Sequence, residues 1–356
     1  MILNSYTSMK KIYSYTESLC PICGKDSPAY YLEAQNKMLL VVECDMHGLF
    51  SDTVENDPSF FKKQYEKEYE LKTNHLLLPI TYRCNLSCRY CYALSNSHIQ
   101  LPQDRSIEKL SGMIENFNGN VTLIGGEPTV RHDLVDVIRT AKKKNPGKKI
   151  SVATNGQKLT DIDYLMKLRG NGLDFVLLSF NDSAYDGEII YRKKVEALDN
   201  CLRMNVPVWV QRTIDNVNQL DSIYPILDKY GKVIFNVTIR AVKPFGKYYP
   251  IHQIFVSDML RYLGKENDFH KGSLFTNVDI YYKKKKIKLV SWVFDTRRVD
   301  PVDSKYVISD DTMTTLLRGM KLDEILLFNN ISLSSLTAKS TECFHSVRNA
   351  SDIISC

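Results

Sequence analysis

The chain has 356 residues, 44% of them hydrophobic and 25% charged, which suits one large folded domain with appendages. A formal net charge of +6 is mild for this length and decides nothing about function, since it suits an acidic small molecule, nucleic acid or merely a soluble surface. No basic-then-apolar leader with a cleavage site opens the chain, and the apolar runs Met38–Val42 and Leu76–Ile80 are too short to span a bilayer, so a soluble, cytoplasmic protein without a transmembrane segment is expected.

Residues Met1–Tyr13 carry no periodicity and read as a tail. Cys20-Pro-Ile-Cys23-Gly24 comes next, then strand-like stretches on either side of a turn near Asn36, then Cys44-Asp-Met-His47-Gly48. Two ligand pairs joined by a hairpin form the spacing of a tetrahedral site held by Cys20, Cys23, Cys44 and His47 in a ribbon over residues 1–54. Zinc is the expected occupant and mononuclear, rubredoxin-like iron the alternative; for His47 the alternative is a surface histidine. The ribbon reads as a staple for a small domain without its own core, with electron transfer or partner contact as the other role. Glu55–Lys72, with Phe60, Phe61, Tyr65 and Tyr69 among charges, predicts an amphipathic helix in a linker over residues 55–73.

Strand-like and helix-like stretches then alternate across residues 74–247. Strands are expected at Leu76–Tyr82, Val121–Gly125, Lys149–Ala153, Asp174–Phe180, Val206–Thr213 and Lys232–Val242. Helices are expected at Ser106–Phe117, Arg131–Lys144, Asp161–Gly170, Lys193–Met204 and Leu220–Tyr230. This alternation predicts an α/β fold, a partial (β/α)6 TIM-like barrel, whose functional groups gather at the C-terminal strand ends. Cys84, Gly125, Thr154, Asn181 and Thr213 all fall there. A mixed C-terminal extension occupies residues 248–356. Within it, Lys283–Lys286 belong to a predicted hairpin strand whose lysines face water or blunt a sheet edge, with anion binding the alternative.

Cys84, Cys88 and Cys91 follow the first core strand in a Cys-x3-Cys-x2-Cys run, with Cys88 and Cys91 on a predicted helical turn. Three thiolates can hold three corners of a cubane [4Fe–4S] cluster and leave one iron open, whereas closed sites complete a set of four. A zinc site with a distant fourth ligand is the alternative. Gly125-Gly126-Glu127-Pro128 follows the second strand, where glycines let the backbone approach a neighbour that a Cβ would exclude.

The cysteine run, with aromatic Tyr90 before its third cysteine, and the Gly-Gly-Glu-Pro segment together resemble the radical S-adenosylmethionine (radical SAM) enzymes. The resemblance implies reductive cleavage of SAM to a 5′-deoxyadenosyl radical that abstracts hydrogen from substrate, and a one-electron reductant of flavodoxin or ferredoxin type. It implies that Cys84, Cys88 and Cys91 hold the cluster and that Tyr90, Gly125, Gly126, Glu127 and Pro128 line the cofactor. It also places Asn155, Ser179, Asn181 and Arg212 near SAM's ribose and carboxylate; for Asn155 the alternative is a structural Asn-Gly turn. Gln211 and Arg212 alternate in direction, so only one points inward, and Arg240 shares the ambiguity. The order of ribbon, Asn85-Leu86 and Gly-Gly-Glu-Pro-Thr-x-Arg-x-Asp-Leu is similar to the archaeal tetraether lipid synthases and pterin-methylating enzymes. Only the SAM-cleaving core is carried over, because no cysteine lies between His47 and Cys84.

The substrate stays open among small molecules, lipids and peptides, and the outcome among methylation, carbon–carbon coupling, epimerisation and dehydrogenation. Cys201 reads as a buried hydrophobe. Cys343 and Cys356, with His345, read as a partial metal site, a hydrogen-returning thiol or an inert pair. The competing function is a non-catalytic zinc-ribbon protein that binds metal or nucleic acid through its ribbon and lysines.

Overall fold

A computed structural model of the protein describes residues 11–20, 26–66, 75–89, 91, 104–115, 117, 119–242, 253–272 and 277–291. Cys23, Tyr90, Cys343, His345 and Cys356 lie outside them.

The N-terminal sheet is an antiparallel meander of β1 (Lys11–Leu19), β2 (Asp26–Ala34), β3 (Lys37–Cys44) and β4 (Gly48–Glu55). Gln35 and Asn36, both at positive φ, form the two-residue turn that a tight hairpin requires. Helix α1 (Pro58–Tyr65) starts where Asp57 accepts the Phe60 amide at 2.9 Å, with Pro58 at its first position. That cap explains why the helix begins after Glu55; residues beyond Glu66 in the expected span lie outside the described set. Phe61 and Tyr65 of α1 pack with Tyr31, Met38, Leu40 and Phe50, and the Tyr31 and Phe61 rings sit 4.8 Å apart. The expectation of a ribbon lacking its own core is therefore corrected, since the ribbon strands carry a buried cluster that Phe61 and Tyr65 of the helix read as a linker complete.

The second sheet has nine strands in the order β11-β12-β13-β10-β9-β8-β7-β6-β5. Its parallel part consists of β5 (His75–Thr81), β6 (Asn120–Gly125), β7 (Ile150–Thr154), β8 (Phe175–Ser179), β9 (Val208–Ile214) and β10 (Ile234–Ala241), side by side in chain order. The helices are α2 (Ile107–Glu115), α3 (Leu134–Lys144), α4 (Ile162–Gly170), the single turn α5 (Ser183–Asp186), α6 (Glu188–Arg203), α7 (Ile223–Tyr230) and α8 (Val256–Tyr262). Helix α6 starts earlier than expected because Asp182 caps α5, and Gly187, at φ 80°, redirects the chain between the two. β5 pairs only with β6 among the described residues, so the strands form an open set, as a partial barrel does.

Alternate strand residues point to opposite faces. Leu76, Leu78, Val121, Leu123, Val152, Val176, Leu178, Val208 and Val210 pack under the helices. The opposite, inner face carries Phe175, Trp209 and Phe235 at the N-terminal strand ends, with Phe175 and Phe235 5.4 Å apart. Trp209 Nε1 donates to Thr238 Oγ1 at 2.9 Å on the same face.

After β10, the strands β11 (His270–Lys271), β12 (Asn277–Tyr282) and β13 (Lys285–Val290) complete the sheet, with Lys283 and Lys284 at positive φ in the β12–β13 turn. The hairpin forms as expected, but β13 is no edge. It lies parallel to β10 on its other side, Lys288 is buried, and Lys283 pairs with Asp228 at 2.7 Å. The ribbon meets the segment before and within α8: Gln253 Nε2 donates to Asp52 at 3.0 Å, Asn56 Nδ2 to Asp258 at 3.0 Å, and the Ser257 hydroxyl to Glu55. Burial pushes the Glu55 carboxyl up to about 8. No helix of the described residues is long and apolar enough to cross a membrane.

Candidate active site

Two metal-type donor sets emerge from this scaffold. In the ribbon, Cys20 follows β1, Cys44 ends β3 and His47 occupies the tight turn before β4. His47 Nδ1 lies 3.6 Å from Cys20 Sγ and 3.5 Å from Cys44 Sγ, and the three donor atoms lie within 4.8 Å of one another. Burial alone would raise the Cys44 thiol, but the Met46 amide, His47 and Cys20 bring it down to about 6. Two soft sulfurs and an imidazole converging on one point fit a tetrahedral zinc or iron ion.

The second set follows β5. Cys84, Cys88 and Cys91 are each half-buried, and the Cys91 amide donates to the Cys88 carbonyl at 3.4 Å, so the two share a turn; no helix is formed among the described residues there. The Leu86 amide donates to Cys84 Sγ at 3.4 Å, and Asn155 Nδ2 reaches the same sulfur at 3.9 Å. Burial pushes the Cys84 thiol up to about 11, with the negative charges of Glu127, Cys88 and Cys91 adding to it against the Leu86 amide. Among the described residues only the ribbon trio has its donor atoms within 4.8 Å of one another, but amide donors aimed at the Cys84 sulfur suit a thiolate ligand. The donor set therefore fits an iron–sulfur cluster, whose coordination deprotonates thiols outright.

The Gly-Gly-Glu turn builds the wall beside Cys84. The Gly126 amide donates to the Thr81 carbonyl at 2.9 Å and the Glu127 amide to the Arg83 carbonyl at 2.8 Å. A Cβ on Gly125 would stand 2.0 Å from the Thr81 carbonyl oxygen, and one on Gly126 2.4 Å from that of Arg83. Both glycines are thus required by the backbone that leads into Cys84. Glu127 is buried: its Oε1 accepts from the Thr129 hydroxyl at 2.6 Å and the Thr154 hydroxyl at 2.7 Å, its Oε2 from the Asn155 amide at 2.6 Å. Burial raises its pKa while these donors hold it down. Pro128 starts the buried turn that Glu127 caps. Asn155 Nδ2 also donates to Asn85 Oδ1 at 2.8 Å, so the end of β7 is stitched to the cysteine loop; Asn85 was not singled out from sequence as a site residue.

Ser179 ends β8 in register with Gln211 of β9. Asn181 Oδ1 accepts the Thr213 amide at 2.9 Å and its Nδ2 donates to Asp186 at 3.3 Å, so Asn181 ties β8 to β9. Arg212 does not share the inner face with Ser179 and Gln211. It is buried on the helix-covered face, where it pairs with Asp182 at 3.2 Å and donates to the Ser222 hydroxyl. Gln211 and Arg240 take the inner face instead and hydrogen-bond to each other. Asp186 is engaged by Lys194 at 2.6 Å in a buried ion pair that sequence reasoning also missed.

Comparison with known proteins agrees with this geometry. Residues 78–228 match the radical SAM superfamily and residues 12–56 match the HMPTM N-terminal zinc ribbon domain. The 7,8-dihydro-6-hydroxymethylpterin dimethyltransferase of Methanocaldococcus jannaschii is 30% identical over 244 residues, 56% of this chain and 48% of that one. The Fe-coproporphyrin III synthase of Methanosarcina barkeri is 31% identical over 162 residues, 42% of this chain and 40% of that one. A probable GTP 3′,8-cyclase of Methanococcus aeolicus is 27% identical over 301 residues, 79% of this chain and 92% of that one. The chain thus spans half or less of the length of the first two relatives. Radical SAM enzymes use a [4Fe–4S] cluster and SAM, and this chain carries a radical SAM domain behind an N-terminal zinc ribbon.

Proposed function

We propose that this protein cleaves SAM reductively at a cluster held by Cys84, Cys88 and Cys91 and directs the resulting radical at a small molecule. The cluster, when bound, supplies the electron and the open iron that chelates SAM. The chain's own residues fix the position of the thiolates and the polarity around them. The observation that carries this reading is the immobilised entry to the cysteine loop: Gly126 and Glu127 bind Thr81 and Arg83 backbone, and Asn155 binds Cys84 and Asn85. Ser179, Gln211 and Arg240 give the same inner face polar groups at the C-terminal strand ends.

Methyl transfer to a fused, pterin-like heterocycle is the outcome to assay first, because the ribbon and the core each match proteins of that kind. An electron donor of flavodoxin or ferredoxin type and a cytoplasmic setting belong to the same proposal. The test is anaerobic reconstitution with iron and sulfide, then SAM and dithionite, with 5′-deoxyadenosine followed by mass spectrometry. Wild type is expected to produce it and a Cys84→Ala, Cys88→Ala, Cys91→Ala triple variant is not. A colourless wild type holding zinc at both cysteine groups overturns the reading in favour of a metal-binding module.

A further inference from the structure

We propose that Asp104 and Arg131 form a clasp across the neck of the cysteine loop and act as positioning residues for its thiolates; this rests on the radical SAM reading. The chain leaves β5 at Thr81 and returns at Asp104, and the segment between carries all three cysteines. That departure is tied to the return at Pro79, Thr81 and Arg83, and through Arg131 at Ile80. Arg105 Nη1 donates to the Pro79 carbonyl at 3.4 Å, and Arg131 Nη1 to the Ile80 carbonyl at 2.7 Å. The Thr81 hydroxyl donates to Asp104 Oδ1 at 2.6 Å, and Arg83 Nη2 to Asp104 Oδ2 at 2.5 Å.

Arg131 closes the ring, because the nitrogen that binds the Ile80 carbonyl also donates to the Arg105 carbonyl at 2.9 Å. Its Nε and Nη2 grip both oxygens of Asp133 at 2.9 and 2.7 Å, which fixes the plane of the guanidinium. The contributions differ. Arg83 is exposed, so its ion pair adds little. Thr81 and Arg131 are buried, where a lost partner leaves a polar group unsatisfied. With Gly126 and Glu127 on its other side, the backbone just before Cys84 is held from both flanks. Tying Thr81 and Arg83 to Asp104 limits the freedom of the backbone that enters Cys84, and groups that orient metal ligands from behind govern how firmly a metal is held.

The competing explanation is that these contacts only cap the open edge of β5, which would affect folding and not the cluster. Full-length wild type, Asp104→Ala, Thr81→Val and Arg131→Lys are reconstituted under nitrogen. Iron release to a chelator and the electron paramagnetic resonance spectrum of the reduced cluster are read beside apo-protein unfolding. The clasp predicts iron release about tenfold or more faster in each variant, with an altered resonance spectrum. Release rates and spectra equal to wild type in Asp104→Ala and Thr81→Val overturn it. If Asp104→Ala fails to fold, Thr81→Val, which keeps side-chain shape and deletes the hydrogen bond to Asp104 together with the one accepted from the Arg83 amide at 3.2 Å, decides by the same two readings. A wild type that takes up no cluster fails the radical SAM reading and the clasp together. A loaded wild type with indifferent variants fails the clasp alone.

Discussion

Arg240 donates to the side-chain carbonyl of Gln211 from the neighbouring strand, and this contact fixes Arg212 on the opposite face of the sheet. The two arginines therefore behave differently when truncated. Arg212→Ala leaves Asp182 without its buried partner and is expected to cost about 3–5 kcal/mol of stability. Arg240→Ala is expected to cost about 1 kcal/mol and to impair turnover on the inner face. Urea unfolding of the apo-proteins and 5′-deoxyadenosine yield separate the two effects.

A methyl group at Gly126 has no room beside the Arg83 carbonyl, which a Cβ would approach to 2.4 Å. Gly126→Ala is expected to destabilise the domain by at least about 2 kcal/mol and to lower cluster loading with it. Iron and sulfide content against unfolding midpoint measures both.

The strand and helix order of the core was legible because each strand is a short apolar run between turn residues, and six of them fall into one parallel array. The cysteine triad and the Gly-Gly-Glu turn were legible because their chemistry lies in adjacent residues. What periodicity does not encode is which of two consecutive polar residues faces a ligand. Gln211 and Arg212 differ by one position, and the contacts with Asp182 and Ser222 set Arg212 on the helix-covered face. Nor could the partner of Thr81 be read, since Asp104 is distant in sequence and meets it only through the return of the loop. Of the two expectations for the lysine-rich hairpin, Lys283 and Lys284 do face water, whereas the edge reading fails because the strand's other neighbour, β10, lies far upstream.

Glu55 gives the seam between ribbon and core a pH dependence of definite sign. Its folded pKa stands at about 8, raised first by burial and also by Asp258, against the hydrogen bonds of Ser257 and of the Asn56 and Asp57 amides; Asp52 and Asp258 are the other acids at the seam. The folded state keeps the proton that the unfolded state releases near 4.5. Stability from this group is therefore full below that value and declines as pH rises through about 8, by at most about 1.4 kcal/mol per pH unit. Thermal unfolding midpoints between those limits are expected to fall in wild type and to flatten in Glu55→Gln.

Removing the ribbon metal is expected to leave the core cluster in place. Cys44→Ser deletes one of the converging donors, while the Tyr31, Phe61 and Tyr65 packing remains. Elemental analysis is expected to show loss of zinc, or of the equivalent iron, with the broad visible absorption of the core cluster retained. Loss of both together would mean that the two sites assemble as one unit.

The inner face changes character along its length, from Phe175, Trp209 and Phe235 at one end of the strands to Ser179, Gln211 and Arg240 at the other. Such a surface has a grain. A molecule with a greasy half and an anionic half would lie along it in one sense, its anionic half toward the strand ends that carry Arg240 and its greasy half away. Turning it end for end would set a guanidinium against hydrocarbon and leave the aromatic floor facing an anion. The strand alternation that buries one set of side chains under the helices thus gives the opposite set a built-in orientation rule for whatever lies there.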